Sequence, residues 1–227
     1  MKTPAALLAA LLAATVAIQA AGTISGTVKA KPKADEEKIA KKNPEICGAK
    51  VAAQKFVIGA GGGVEWAVVK LDGVTGGKPM ASADILYDNI ACKFTPHVML
   101  APMGATLKVR NSDDMLHNSH FFLMEGAAKK NLVNLALPKK GQVIENAKIL
   151  RKEGLVSAQC DAHDFMQGYI WVLPNAYGAV TGADGSFKIS DVPAGSYTLK
   201  VWHEALGEKT VTVKVEDGKD AKISVQY

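Results

Sequence analysis

Cysteine, aromatic residues and long apolar runs are all scarce in this chain. Of its 227 residues, 3 are cysteine and 6% are aromatic. After the first twenty residues no stretch is long and apolar enough to cross a membrane as a helix. No patch combines aromatic with basic side chains, which argues against stacking on nucleic-acid bases. The net charge of +5 is mildly basic and indicates at most a weak preference for acidic partners.

The first twenty residues are the exception, because they hold the one long apolar run. Lys2 is followed by about a dozen Ala- and Leu-rich residues that end in small ones, a pattern typical of a secretory signal peptide. Ile18-Gln19-Ala20 is the expected cleavage site, near Ala20, and an uncleaved anchor helix is the alternative. Export predicts a periplasmic protein in an oxidising compartment.

Short alternating segments separated by Gly and Pro turns predict an all-β chain. Tyr197, Leu199 and Val201 fall on one face of a predicted strand, and "ADG", "PAG" and "EDG" turns punctuate the C-terminal third. The predicted organisation is a signal peptide at 1–20, N-terminal strands and a charged linker at 21–79, a β-sandwich at 80–174, and a smaller β-sandwich module at 175–227. The early "GTISGTVK" leaves open whether residues 21–79 pair with the C-terminal module. The lysine-rich stretch 127–142 predicts a connecting loop.

Four side chains near the middle of the chain form a candidate metal site. They are His117 in "DDMLHNSHF", and Cys160, His163 and Met166 in "QCDAHDFMQ". Two imidazoles, one thiolate and a weak axial thioether are the ligands of an electron-transfer copper. Cys160, His163 and Met166 fall on a tight loop between two predicted strands, and His117 comes from another strand end. Asn118 is placed to support this loop by hydrogen bonding, and an exposed edge of His163 is the expected route for electrons.

An odd number of cysteines in an exported chain suggests one thiol with a separate role. If Cys160 binds metal, Cys47 and Cys92 remain as a disulfide pair. The competing pairing, in which one of them bonds Cys160, would abolish the metal site.

"LHNSHF" followed by "CDAHDFM" resembles the cupredoxins, the small blue copper electron carriers, in their amicyanin, pseudoazurin and plastocyanin-like form. The resemblance implies a Greek-key sandwich with one mononuclear type 1 copper held by His117, Cys160, His163 and Met166. "TGADGSFKISDVPAGSYTLKVWHEALG" resembles carboxypeptidase-regulatory-like (prealbumin-like) β-modules. The chain as a whole resembles larger exported proteins, some of the methylamine-utilisation type, in which two such units are joined.

The leading interpretation is a periplasmic carrier that passes single electrons between protein partners such as a cytochrome or a periplasmic oxidoreductase. The alternatives are a copper-delivery protein and an interaction module whose C-terminal sandwich binds a partner or a glycan. An enzyme is not expected, because the chain lacks the His-x-His pairs of a trinuclear copper cluster and the second loop cysteine of a dinuclear one.

Overall fold

The computed structural model describes residues 21–74, 76–81 and 85–227. The predicted signal peptide lies outside these residues. The elements in chain order are β1 (Gly22–Lys29), β2 (Glu37–Ile39), α1 (Pro44–Cys47), β3 (Lys50–Ala52), β4 (Val68–Leu71), β5 (Ile85–Ile90), β6 (Lys93–Thr95), β7 (Val98–Pro102), β8 (Leu107–Asn111), β9 (His117–Glu125), β10 (Ala128–Leu137), β11 (Val143–Asn146), β12 (Gly154–Gln159), β13 (Gln167–Leu173), β14 (Gly178–Val180), β15 (Ser186–Val192), β16 (Gly195–His203), β17 (Gly207–Val215) and β18 (Asp220–Gln226). The predicted all-β class is confirmed.

Two sheets enclose the first core. One has the strand order β10-β9-β12-β13-β7 and the other β11-β8-β5-β6. Alternate residues of these strands point inward, as period-2 patterning requires, so that Tyr87, Phe94, Phe121 and Ile170 are fully buried between the sheets. We call this unit the first sandwich, and the proposed ligands lie at one end of it.

A second sandwich is built from both ends of the chain. Its sheets have the orders β14-β4-β16-β17 and β15-β1-β18. β1 pairs in parallel with β18, with Ile24 opposite Ala221, and antiparallel with β15. Ile24 and Val28 of β1 are buried in the same core as Leu199 and Val213. The pairing that the sequence left open for the N-terminal strand is therefore with the C-terminal part of the chain.

The two sandwiches pack directly against each other. Val68 and Trp202 of the second sandwich contact the outward face of β13 through a cluster that includes Trp171 and Leu173. The buried His97 of the first sandwich also pairs with the buried Glu204 carboxylate of the second. Breaking a buried hydrogen bond leaves its polar partners without water or each other, which is costly, so this contact helps to fix one sandwich on the other.

The prediction of a connecting loop over 127–142 is wrong. Residues 128–137 form the edge strand β10, which pairs with β9 from Glu125 to His117. Lysines on an exposed edge strand discourage pairing with other chains, and β10 carries two of them, at Lys129 and Lys130. Two of the four lysines that suggested a loop therefore lie on an edge strand, where they protect the sheet from pairing with other chains.

Residues 31–57 follow β1, and Lys41, Asn43 and Cys47 of this segment lie against the first sandwich. The segment contains the short hairpin β2–β3 and, between its strands, the four-residue helix α1. A disulfide joins Cys47, the last residue of α1, to Cys92 in the turn between β5 and β6. The predicted Cys47–Cys92 bridge is thus present, and it fastens this segment near the end of the first sandwich that carries His117. In the described residues no helix is long and apolar enough to span a membrane.

Candidate metal centre

The backbone brings three of the predicted ligands to one point. His117 is the first residue of β9, Cys160 directly follows β12, and His163 lies in the loop that leads to β13. β12 pairs with both β9 and β13, so neighbouring strand ends deliver all three side chains. The ring Nδ1 atoms of His117 and His163 lie 3.9 and 3.7 Å from the Cys160 sulfur.

The loop from Cys160 to Met166 is held by its own backbone. The amide of Met166 donates to the carbonyl of His163 over 3.0 Å, and the amide of His163 donates to that of Cys160 over 3.3 Å. The Cys160 amide closes the loop by donating to the carbonyl of Met166 over 3.3 Å. Met166 is only 2% exposed and packs in the core of the first sandwich. This is the tight loop that the ligand spacing predicts.

Asn118 links the loop to the strand that carries His117. Its Oδ1 accepts the backbone N–H of Ala162 over 3.0 Å and lies 3.5 Å from the Cys160 sulfur. Its Nδ2 donates to Asp161 and Asn134 over 3.0 and 2.9 Å. The position next to His117 therefore lets one amide side chain set the distance between strand and loop.

Each candidate imidazole makes a second hydrogen bond through the nitrogen that faces away from Cys160. His117 Nε2 donates to a carboxylate oxygen of Asp113 over 2.9 Å, and His163 Nε2 donates to Oδ1 of Asn43 over 3.1 Å. These bonds place the proton on Nε2 of each ring and leave both Nδ1 atoms free as acceptors. Metal-binding histidines nearly always have such an outer partner.

Asp113 and Asn43 were not predicted from the sequence. Asp113 lies four residues before His117, and its proximity depends on the turn after β8. Asn43 is 120 residues from His163 in sequence. A signal existed only for Asp113, as an acidic residue near a candidate histidine, whereas nothing local connects Asn43 to the site.

Burial sets the protonation of the three groups. It lowers the pKa of His117, an effect that the Asp113 carboxylate partly opposes, and it lowers the pKa of His163 together with the charges of His117 and Lys42. Burial also raises the pKa of the Cys160 thiol. The imidazoles are therefore neutral at pH 7, and the thiol requires a bound cation to lose its proton.

His163 differs from the expectation in one respect. The expected exposed edge is absent, since His163 is only 2% exposed. Its Nε2 edge lies against Asn43 of the segment that precedes α1. The prediction of an open route through this imidazole is wrong, because a segment far away in sequence covers it.

His120 does not belong to the cluster. It follows His117 by three residues on β9 and so points to the opposite face. There its two ring nitrogens contact Asp161 and Asn131 over 3.1 and 3.2 Å. A further group of potential ligand atoms, from Cys92, Asp113 and His117, is held together by hydrogen bonds to Asp113. Since Cys92 is in the disulfide, this second group is not a metal site.

One family model matches the C-terminal part of the chain. Residues 138–227 match the family model of the Carboxypeptidase regulatory-like domain. The match begins in the first sandwich, at Pro138, and does not include β1 or β4, which complete the second. No curated protein sequence matches the chain.

Among solved structures, the chain is similar to several copper proteins. A Cu(I) form of an amicyanin mutant aligns with 22% identity and a TM-score of 0.34 over 46% of this chain and 97% of its own. A purple cupredoxin from Nitrosopumilus maritimus aligns with 20% identity and a TM-score of 0.31 over 39% of this chain and 99% of its own. A Cu-containing nitrite reductase (NirK) from Thermus scotoductus SA-01 aligns with 20% identity and a TM-score of 0.33 over 44% of this chain and 24% of its own. The case for a metal rests on the site's own geometry.

Proposed function

We propose that the protein is an exported type 1 copper protein that carries single electrons between protein partners. His117, Cys160 and His163 would hold one copper ion, with Met166 as the weak axial ligand. Copper in this setting supplies one-electron chemistry between Cu(I) and Cu(II). The ligands would be held in place by the backbone of the loop and by hydrogen bonds with Asn118, Asp113 and Asn43. This would keep the reorganisation energy of electron transfer small.

One observation carries the proposal: the spacing of the three donor atoms. With metal–nitrogen and metal–sulfur distances of about 2.0 and 2.3 Å and a trigonal angle, sulfur and nitrogen would be about 3.7 Å apart. The observed separations from the Cys160 sulfur to the two Nδ1 atoms are 3.7 and 3.9 Å. All three donor atoms lie within 4.8 Å of one another, and all three residues are buried. The two sulfur–nitrogen separations are therefore those that a trigonal His₂Cys centre would need.

The surrounding structure favours redox chemistry over hydrolysis. The Cys160 sulfur is 3.7 Å or more from the Nδ1 atoms of both His163 and His117, a long separation for direct proton transfer from a thiol to a base. A nucleophilic pair requires a base within hydrogen-bonding reach and held by a third group. His117, Cys160 and His163 are all buried, which limits the access of a substrate to a bound ion.

The partner and the compartment follow from the same proposal. A signal peptide over 1–20 would export the chain to the periplasm, where the Cys47–Cys92 disulfide is stable. The redox partner would be a cytochrome or a periplasmic oxidoreductase. Electrons would have to enter beside the segment that covers His163, because that imidazole has almost no exposed surface.

Visible absorption of the mature protein with added Cu(II) tests the site. We expect an intense thiolate-to-copper charge-transfer band that is lost in Cys160→Ser and in His117→Ala. His120→Gln is the matched control, because His120 lies three residues from His117 on the opposite face, and it should keep the band. A wild-type protein without the band, or an unchanged band in Cys160→Ser, would refute the proposal. Transfer of copper to an acceptor within seconds would instead indicate a delivery protein.

A further inference from the structure

Residues 40–48 lie across the end of the first sandwich that carries the candidate metal centre. Lys41 and Lys42 form one side of a small cavity of about 180 Å³, and residues 161–165 of the ligand loop form the other. His163 lines this cavity and is only 2% exposed. The segment therefore lies directly on the ligand loop, and we call residues 40–48 the cover.

Asn43 makes the contact between the cover and His163, and its conformation is unusual. It has φ 50° and ψ 44°, in the left-handed region, and it immediately precedes Pro44. A non-glycine residue rarely adopts this conformation, although asparagine tolerates it better than most. The backbone at this position is therefore strained, and such strain persists only where surrounding contacts hold it.

The side chain of Asn43 is not used in the way its position in α1 predicts. An asparagine at the N-cap normally accepts a hydrogen bond from its own helix. Asn43 occupies the N-cap of α1 but makes no such bond. Its Oδ1 accepts the Nε2–H of His163 over 3.1 Å, and its Nδ2 contacts Glu45 over 3.4 Å. The oxygen that could cap the helix is committed to the imidazole.

The disulfide ties the cover to the other imidazole as well. The amide of Cys92 donates to Asp113 over 2.9 Å, and the same carboxylate oxygen accepts the Nε2–H of His117. Cys92 is bonded to Cys47, four residues beyond Asn43. The disulfide thus links the segment that carries Asn43 to Cys92, and Cys92 is hydrogen-bonded to Asp113, the outer partner of His117. The cover cannot move far from the site while the disulfide is intact.

We infer that Asn43 is a positioning residue that holds the His163 imidazole with its Nδ1 toward Cys160, and that the tethered cover limits the release of copper. The inference rests on the proposed copper site. Asn43 fixes which ring nitrogen carries the proton and keeps the ring from rotating. Removing an outer partner of this kind typically costs ten- to a hundred-fold in metal affinity.

Three variants separate the parts of this inference. Asn43→Gly keeps the left-handed backbone and removes the acceptor, because glycine adopts positive φ without strain. Asn43→Asp keeps an acceptor oxygen and also tolerates this conformation. Cys47→Ala/Cys92→Ala removes the tether but leaves Asn43 unchanged, and Cys92 can still donate to Asp113 because it does so through its backbone amide.

Two measurements are needed, one on the metal-free protein and one with copper. In the metal-free protein, ¹⁵N NMR of the imidazoles should show His163 protonated on Nε2 in the wild type and in Asn43→Asp, and mixed tautomers in Asn43→Gly. With copper loaded, transfer of Cu(I) to a chromophoric chelator should be at least about tenfold faster in Asn43→Gly and in the double alanine variant. Asn43→Asp should stay close to the wild type.

Unchanged release and an unchanged His163 tautomer in Asn43→Gly would overturn the positioning role. Equal acceleration in Asn43→Gly and Asn43→Asp would overturn it too, because the acceptor would then not matter. Unchanged release in the double alanine variant would overturn the role of the tethered cover. Absence of the charge-transfer band in the wild type would instead refute the copper site itself, so the two failures are distinguishable.

Discussion

Asp113 is the residue whose replacement tests the structural reasoning most directly. Its carboxylate accepts three hydrogen bonds: the amides of Ala91 and Cys92 over 2.8 and 2.9 Å, and Nε2–H of His117 over 2.9 Å. Ala91 and Cys92 form the turn between β5 and β6, and both have positive φ, at 51° and 55°. Turns of this hand normally use Asn-Gly. One carboxylate therefore stabilises a strained turn and orients a candidate ligand.

The size of the effect follows from which donors are buried. Asp113→Ala leaves the Cys92 amide and His117 Nε2 without an acceptor, and both residues are fully buried. A buried donor left unpaired costs about 1–3 kcal/mol. Ala91 is exposed, so water replaces its lost partner. We expect Asp113→Ala to destabilise the metal-free protein by about 2–6 kcal/mol, a large part of the 5–15 kcal/mol typical of folded domains.

Asp113→Asn is the matched control. If the amide oxygen takes the position between Cys92 and His117, only the bond to the exposed Ala91 is lost. The expected cost is about 1 kcal/mol or less. This variant should also keep the charge-transfer band, whereas Asp113→Ala should shift or weaken it because His117 is no longer oriented.

Urea unfolding of the metal-free protein with the disulfide intact measures both variants. Near-ultraviolet circular dichroism follows the transition, and hydrogen exchange at the amides of Ala91 and Cys92 reports on the turn. An unfolding free energy for Asp113→Ala within 1 kcal/mol of the wild type would refute the assigned role of the carboxylate. So would a cost for Asp113→Asn as large as that for Asp113→Ala.

Two further predictions concern a tightly packed glycine of the first sandwich and a buried histidine of the second. Gly168→Ala should destabilise the fold by about 1–3 kcal/mol or more, because a Cβ there would meet the hydroxyl of the buried Tyr87 at 2.0 Å. Gly61→Ala, whose Cβ would have no neighbour within 4 Å, should be nearly neutral, and urea unfolding of the metal-free protein measures both variants. Burial lowers the pKa of His203 below that of an unfolded histidine. The unfolded state therefore binds a proton that the folded state resists, and stability should fall as the pH drops below about 6.5. His203→Gln should lose less stability between pH 7 and 5, and equal losses in both proteins would contradict this assignment.

The loop that carries Cys160, His163 and Met166 could be predicted from the sequence because the residues that define it are close together in the chain. Cys160, His163 and Met166 lie within seven residues, and strand patterns on both sides define the hairpin that bends them together. The remaining candidate ligand, His117, was suggested by its side-chain type together with the downstream loop, and the His117-Asn118 pair resembles the cupredoxin pattern. The disulfide followed from the count of cysteines once Cys160 was set aside.

The two wrong predictions, a loop over 127–142 and an exposed edge of His163, have the same cause. In both cases contacts between segments far apart in the chain decide the structure. Composition assigned 127–142 to a loop, yet pairing with β9 makes most of it a strand. An edge strand needs few apolar residues, so lysine content does not distinguish it from a loop. The exposed edge expected for His163 was wrong for the same reason, because no local pattern indicates that Asn43 covers it.

By itself, the sequence determined the all-β class and the four candidate ligands, because side-chain periodicity and ligand chemistry act over a few residues. It left two cysteine pairings open, and the structure decided for Cys47 with Cys92. Only the tertiary structure decided that β1 completes the second sandwich, that Asp113 and Asn43 hold the two imidazoles, and that residues 40–48 cover the site. Each of these depends on backbone pairing or hydrogen bonding between segments far apart in the chain. The geometry of such contacts exists only after the core has formed, so no local pattern encodes it.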